Sequence, residues 1–411
     1  MIQAVAATLA FPFAGALLSL LAGERYCRAV AVALATAALA SGAAAVWSVF
    51  PNELHVTVGG LRWLHGGDTG LFGFLIDPLS AILLLVVTGI GFLVVLYSTG
   101  YLGPGNAAHP VHQGQPRFYF WLLAFEGSMA GVVISPNLLQ LFLFWEMTAL
   151  CSWALIAYYQ DEDALKAGFK ALIMTQVGAF GFLLALVLLF ATTGSFGFAA
   201  LAGAPNGVKL TCYLLLLLAA WAQAAQVPFH TWLPRAMVAP TPVSAYLHAA
   251  AMVKAGVFLM ARVVLSAGPA PHAAVVAMLA MALVTIAVAV FFMLLQDDLK
   301  RMLAFSTIAH LGYVLVGVSL GALGSSAGYR GGMLHILMHG VAKTTLFLVV
   351  GALAYATGSR SLRALTGVGR RMPLEGTAYF VGALATAGMP PLACFWSKFY
   401  ILAGALDWSR A

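Results

Sequence analysis

Residues 335–343 read HILMHGVAK, inside an apolar run from about Met333 to Ala356. Three proton-binding side chains, His335, His339 and Lys343, recur every fourth residue. A helix turns about 100° per residue, so positions i, i+4 and i+8 fall within about 80° of one another. A bilayer span needs about 20 apolar residues. The stretch therefore predicts a membrane helix with a titratable stripe along one face.

The rest of the chain repeats the apolar pattern. Of 411 residues, 62% are apolar and 8% charged, with mean hydropathy +0.96. Soluble domains carry roughly a quarter charged residues, so the fold class is an all-α polytopic membrane protein. The net charge of +7 does not point to nucleic acid, because membrane proteins collect Lys and Arg in cytoplasmic loops. Cys27, Cys151, Cys212 and Cys394 fit no metal spacing and read as apolar packing residues. The first segment, to about Leu21, lacks a basic leader and reads as a span rather than a cleaved signal.

Twelve spans are predicted, at roughly 2–22, 28–50, 76–101, 117–134, 137–159, 167–193, 208–228, 242–265, 272–296, 301–322, 330–356 and 373–405. The stretches 51–75 and 102–116 read as short loops. Assigning loops alternately to two sides puts Arg25, Arg28, Arg117, Lys166, Lys170, Arg235, Lys300, Arg301, Arg360, Arg363, Arg370 and Arg371 on one side. The other side receives Arg62, Lys209, Arg262 and Arg330. The richer side is expected to be cytoplasmic and the N-terminus outside, in a cell inner (cytoplasmic) membrane.

Two spans are interrupted. The seventh contains AAWAQAAQVPFHTWLPRAM (219–237) and the twelfth ATAGMPPLACFWSKFY (385–400). Proline removes a backbone donor, and freed backbone groups in a bilayer must be satisfied by protein or cavity water. The breaks lie five spans apart, an odd offset that fits an inverted repeat. Paired broken helices point to a transport path.

Intramembrane charges are functional hypotheses by default. Glu126 lies in YFWLLAFEGSMAGV (119–132) and Glu146 in LFLFWEMTALCSW (141–153). His248 and Lys254 lie in AYLHAAAMVKAGVFLMA (245–261), and Lys398 follows the break in the twelfth span. Lys170 and Lys398 are close enough to span ends or breaks to snorkel; Lys254 and Lys343 are not. A lone histidine on an apolar face is more often a packing residue, but three titratable groups on one stripe are not lone. His335 and His339 have metal spacing, yet no intramembrane carboxylate or Cys is evident beside them, so no metal is expected. The stripe reads as a proton relay: histidine titrates near neutrality, and a Glu–Lys pair brought together or apart switches a lysine between holding and releasing a proton. No dinucleotide loop, phosphate loop or iron–sulfur cysteine cluster is present, so no cofactor of its own is expected, and any electron transfer would belong to partners.

Five ordered motifs carry a resemblance. They are LFLFWEMTALCSW, QVPFHTWLPRAMVAPTPVSAYLHAAAMVKAG (226–256), DDLKRMLAFSTIAHLGYVLVG (297–317), LHILMHGVAKTTLFLVVGAL (334–353) and GMPPLACFWSKFY (388–400). Together they resemble the antiporter-like proton-pumping subunits of complex I (subunit 5 or L-like), membrane hydrogenases and Mrp-type sodium/proton antiporters (subunits A and D), over about residues 75–405. ATGSRSLRALTGVGRRMP (356–373) and MVKAG look closest to the Mrp large subunit and hydrogenase relatives. The resemblance implies two inverted five-helix repeats with broken helices 7 and 12. It divides the chain into 1–74 (two helices and an outer loop), 75–265 (first antiporter-like half) and 266–411 (second half, incomplete, because the family continues for further helices).

Carried over by position, Glu146 matches the carboxylate that modulates a first-half lysine. His248 and Lys254 match eighth-helix relay positions, and Lys300 the basic residue opening the tenth. His335, His339 and Lys343 match the eleventh-helix path, and Lys398 the terminal lysine. The family usually has Lys in the broken seventh helix; QAAQVPFH puts Gln223 there, seven residues before His230. Glutamine cannot carry the proton. Glu126 adds a carboxylate where the family is usually uncharged. Glu126, Gln223 and His230 are thus candidate modulators. The implied function is a proton-translocating, or Na⁺/H⁺-exchanging, subunit working with other membrane subunits of a NADH:quinone oxidoreductase, hydrogenase or Mrp-type complex. The rival readings are a proton-conducting subunit that energises a partner enzyme, such as inorganic-carbon uptake, and a structural membrane anchor with a degenerate first half.

Overall fold

The computed structural model describes residues 2–49, 53–60 and 70–409. Its main helices are α1 (Ile2–Leu21), α2 (Gly23–Val49), α3 (Pro78–Tyr101), α4 (Gln115–Ile134), α5 (Leu138–Ile156), α6 (Glu162–Thr193), α7 (Asn206–Gln223), α8 (Thr241–Ser266), α9 (His272–Leu294), α10 (Leu299–Ala322), α11 (Ser326–Thr357), α12 (Pro373–Ala387) and α13 (Ala393–Trp408). Polar residues cap several of the N-termini that open onto loops, satisfying donors the helix itself cannot. Asp77, Asn137, Asp161, Asp298 and Ser325 accept from the backbone N–H of Ser80, Gln140, Ala164, Arg301 and Gly328.

Among the described residues, ten helices are long and apolar enough to cross a membrane. Their outward faces carry large apolar side chains such as Phe180, Val187 and Phe291, as lipid contact requires. The chain is an all-α multi-pass membrane protein. The two remaining expected spans are the interrupted ones. The seventh stops at Gln223, and the chain then runs through 224–231 before a short turn at Trp232–Arg235. The twelfth divides into α12 and α13 at residues 388–392. Both breaks fall at the Pro positions, and each contains a cis X–Pro peptide. A further irregularity was not read from sequence. Within α8, Ala245–Ala250 winds as a π-helix and Ala251 leaves helical geometry (φ −125°, ψ −83°). His248 sits in that segment.

The connecting loops fall on two faces. On one, Arg28 bonds Gln115 and the Leu102 carbonyl, Arg117 bonds the Tyr158 carbonyl, Arg360 pairs with Asp298 and Ala107 bonds Tyr355. On the other, Gln140 bonds Gly73 and Arg262 bonds Asp77. These are the two loop sets that alternation predicts. Arg62 lies outside the described residues. The 51–75 stretch needs a correction. It holds an antiparallel pair, β1 (Leu54–Gly60) with β2 (Gly70–Ile76), joining Leu54 to Ile76 and Val56 to Phe74. Pairing satisfies backbone groups, and Gln140 ties β2 to α5 by bonding both the N–H and the carbonyl of Gly73.

Candidate functional site

The titratable stripe of α11 faces inward, with His335, His339 and Lys343 all buried. His335 is held from both sides of its ring. Nδ1 lies 2.7 Å from Ser397 Oγ on α13, and Nε2 lies 2.8 Å from His310 Nδ1 on α10. The His310 ring stacks on His335 at 5.1 Å and on His339 at 4.8 Å between centroids. Tyr313, one turn on, lies 6.0 Å from His310 and from His335. The i, i+4 spacing aligns His335 and His339 on one helix, and packing of α10 against α11 brings the third imidazole between them.

Cys394 corrects the expectation that no Cys flanks the histidines. Its Sγ and one ring nitrogen each of His310 and His335 lie within 4.8 Å of one another. The break before α13 turns Cys394 and Ser397 inward, so this cysteine packs against polar groups rather than filling an apolar gap.

Three lysines surround the cluster. Lys254 is buried and donates to the Ile336 carbonyl at 2.8 Å. Lys343 and Lys398 line a cavity of about 320 Å³ together with His310, Tyr313, Tyr379 and Thr386. Lys398 is half-buried, donates to the carbonyls of Thr386 (2.9 Å) and Ala387 (3.2 Å), and sits 5.2 Å from the Tyr313 ring. Those carbonyls end α12, so Lys398 caps the broken helix, where a cation also suits the negative end of the dipole. Near the opposite end of α11, a cavity of about 670 Å³ is lined by Asp77, Arg262, Arg330, Met333 and Leu334, the last adjoining His335.

The first-half residues are arranged differently. Glu146 is half-buried and accepts from Gln176 Nε2 of α6 at 2.8 Å. Gln223 is buried, and among the described residues neither its amide nitrogen nor its oxygen has a partner. His248 is buried with both ring nitrogens unpartnered, 6.0 Å from the Trp232 ring. His230 lies at the seventh-span break, stacked on Phe292 at 6.3 Å, with Nδ1 unpartnered. Lys300 is buried and donates 2.6 Å to the Ala239 carbonyl, linking α10 to the turn before α8. Glu126 is buried with both carboxyl oxygens unpartnered.

Sequence reasoning missed His310, Ser397, Tyr246 and the Asp77–Arg262 pair. His310 stood in view within FSTIAHLGY as a mid-helix histidine in an apolar run. Arg262, a loop charge by the alternation of spans, is buried, bidentate to Asp77 at 2.5 and 2.9 Å, and 2.7 Å from Ser80 Oγ. Burial pushes the Asp77 carboxyl up, but the Arg262 guanidinium and the Ser80 contacts outweigh it and hold the carboxyl below the usual range.

Comparison with known proteins agrees with this architecture. The chain is 37% identical over 366 residues to NAD(P)H-quinone oxidoreductase subunit 5, organellar chromatophore 1, of Paulinella chromatophora, covering 84% of this chain and 53% of that protein. It is equally 37% identical over 366 residues to NAD(P)H-quinone oxidoreductase chain 5 of Synechocystis sp., covering 83% of this chain and 51% of the relative. The chain thus spans about half the length of these curated relatives. Among solved structures, a chain of the Mrp complex from Dietzia sp. superposes with a TM-score of 0.88 at 31% identity, over 98% of this chain and 43% of that one. A chain of the membrane-bound sulfane sulfur reductase, an archaeal respiratory membrane complex, gives 0.86 at 26% identity, over 98% and 82%. Residues 63–119 match the model described as NADH-Ubiquinone oxidoreductase (complex I), chain 5 N-terminus. Residues 135–411, more than half of the chain, match the model for the transmembrane region of the NADH:quinone oxidoreductase/Mrp antiporter family, and to that family the chain belongs.

Proposed function

We propose that the chain is a proton-translocating membrane subunit of a multisubunit complex, with Na⁺ exchange as a variant of the same activity. The carrying observation is the buried chain Ser397–His335–His310, flanked by Lys254, Lys343 and Lys398. An imidazole accepts a proton on one nitrogen and releases one from the other. A serine–histidine–histidine chain with contacts of 2.7 and 2.8 Å therefore passes a proton by tautomer exchange. The lysines supply sites where a proton is held between transfers. The cavity lined by His310, Lys343 and Lys398 opens the chain at its His310 end, and a second cavity reaches Met333 and Leu334, next to His335 in sequence.

On this reading, Lys254, His335, His339, Lys343 and Lys398, extended by His310, form the second-half path within 266–411 and its junction with α8. His248 and Lys300 join it to the first half, 75–265, where Glu146 biases the charge balance and Glu126, Gln223 and His230 modulate it. Residues 1–74 are peripheral to the path. The basic-loop asymmetry supports a cytoplasmic membrane with the N-terminus outside. Partners are other membrane subunits, as the names of the relatives imply for those proteins.

The test is proton movement by the assembled complex in sealed vesicles, followed with an entrapped pH dye. Lys343→Ala should lower it at least about ten-fold, the scale of losing one positioned proton-transfer group. Native-rate movement by an assembled Lys343→Ala complex would leave the chain as a membrane anchor.

A further inference from the structure

We infer that Glu126 and Tyr246 form a second buried proton-binding site, in the first half of the chain. The inference rests on the reading of the chain as a proton-translocating subunit.

Glu126 lies near the middle of α4 and is fully buried. Among the described residues neither carboxyl oxygen has a hydrogen-bond partner, so the side chain is not spent on joining helices. Three elements meet at it. A Cβ added to Gly91 of α3 would lie 2.8 Å from Glu126 Cδ, 2.9 Å from Glu126 Oε1 and 2.8 Å from Tyr246 Oη. Only a glycine leaves this space, and the carboxyl and the phenol both reach into it. Tyr246 stands in the π-helical segment of α8, two residues before His248, and Phe125 packs edge-on against its ring. Single-turn π segments recur at functional sites.

The chemistry selects a proton. An ionised carboxylate in an apolar interior without a counter-charge is costly, and among the described residues no basic side chain bonds Glu126. The neutral acid carries one hydroxyl hydrogen that needs an acceptor. Tyr246 Oη already donates to the Val87 carbonyl at 2.9 Å, which leaves its lone pairs to accept. A hard metal cation would need about six oxygens. Here two carboxyl oxygens and one phenol oxygen converge, and the Val87 carbonyl is already engaged. The site therefore binds a proton rather than Na⁺. From Tyr246 the π segment leads to His248, whose two unpartnered nitrogens make it the next acceptor.

The test uses the assembled complex in membranes. Infrared difference spectra should contain the carbonyl band of a protonated carboxylic acid that Glu126→Gln removes, and the band should shift in D₂O during turnover. Glu126→Gln should lower proton movement at least about ten-fold. Tyr246→Phe should slow movement while keeping the band. Should Glu126→Gln fail to assemble, Glu126→Asp, which keeps the acid, carries the infrared test by a displaced band. A Glu126 band that never exchanges, no protonated-acid band at all, or native proton movement in Glu126→Gln while Lys343→Ala is inactive, would each overturn the inference and leave the second-half path standing. Native movement in both variants would instead remove the transport reading itself.

Discussion

Lys254 and Gly340 meet across the contact of α8 with α11. The lysine ammonium group bonds the Ile336 carbonyl at 2.8 Å and fills the space a Cβ on Gly340 would need. Gly340→Ala would push the Lys254 amine off its carbonyl partner, so thermal stability should fall by about 1–3 kcal/mol. The displaced Lys254 loses its place beside the histidines, and proton movement should fall several-fold. Differential scanning calorimetry and vesicle assays on one preparation check this. Native proton movement at that loss of stability would mean that Gly340 serves packing alone.

His310 supplies the ring that stacks on both histidines of α11. His310→Phe keeps an aromatic ring of similar size but removes Nδ1. It should assemble normally and lose proton movement at least about ten-fold. Ser397→Ala removes only one end of the chain and should lose less. Equal, small losses would place the proton path elsewhere.

Lys398 holds the broken end of α12 and also stands in the proposed path, and arginine separates the roles. Lys398→Met leaves the Thr386 and Ala387 carbonyls without their donor and should destabilise by about 1–3 kcal/mol. Lys398→Arg keeps donors at the helix end but cannot release a proton. It should retain stability while proton movement falls. If Lys398→Arg moves protons at the native rate, Lys398 is only a cap.

Asp77 and Arg262 form a buried pair that locks α8 to the start of α3. Asp77→Ala removes both the charge partner and the cap of α3 and should cost about 3–5 kcal/mol. The double replacement Asp77→Leu with Arg262→Met should cost far less, since it leaves no orphan charge. Because the folded state holds the Asp77 carboxyl below its ordinary value of about 3.9, the pair contributes its full stability above that value. The contribution is lost as pH falls through the lower folded value. The acid limb of a stability–pH curve should flatten in the double variant.

The sequence by itself determined the membrane class, the positions of the spans, both helix breaks and the α11 stripe. Each depends on local chemistry: apolar length against bilayer thickness, missing backbone donors at Pro228, Pro390 and Pro391, and a fourfold spacing on one helix. Tertiary structure alone decided which groups meet. His310, Ser397 and Cys394 converge on His335 from two other helices, Glu146 bonds Gln176, and Glu126 faces Tyr246 across Gly91. These partners lie tens to more than a hundred residues apart in the chain. Helical periodicity says which face a side chain occupies, whereas the neighbour that face meets is set by packing of whole helices, where a missing Cβ or a turned half-helix brings distant atoms within reach.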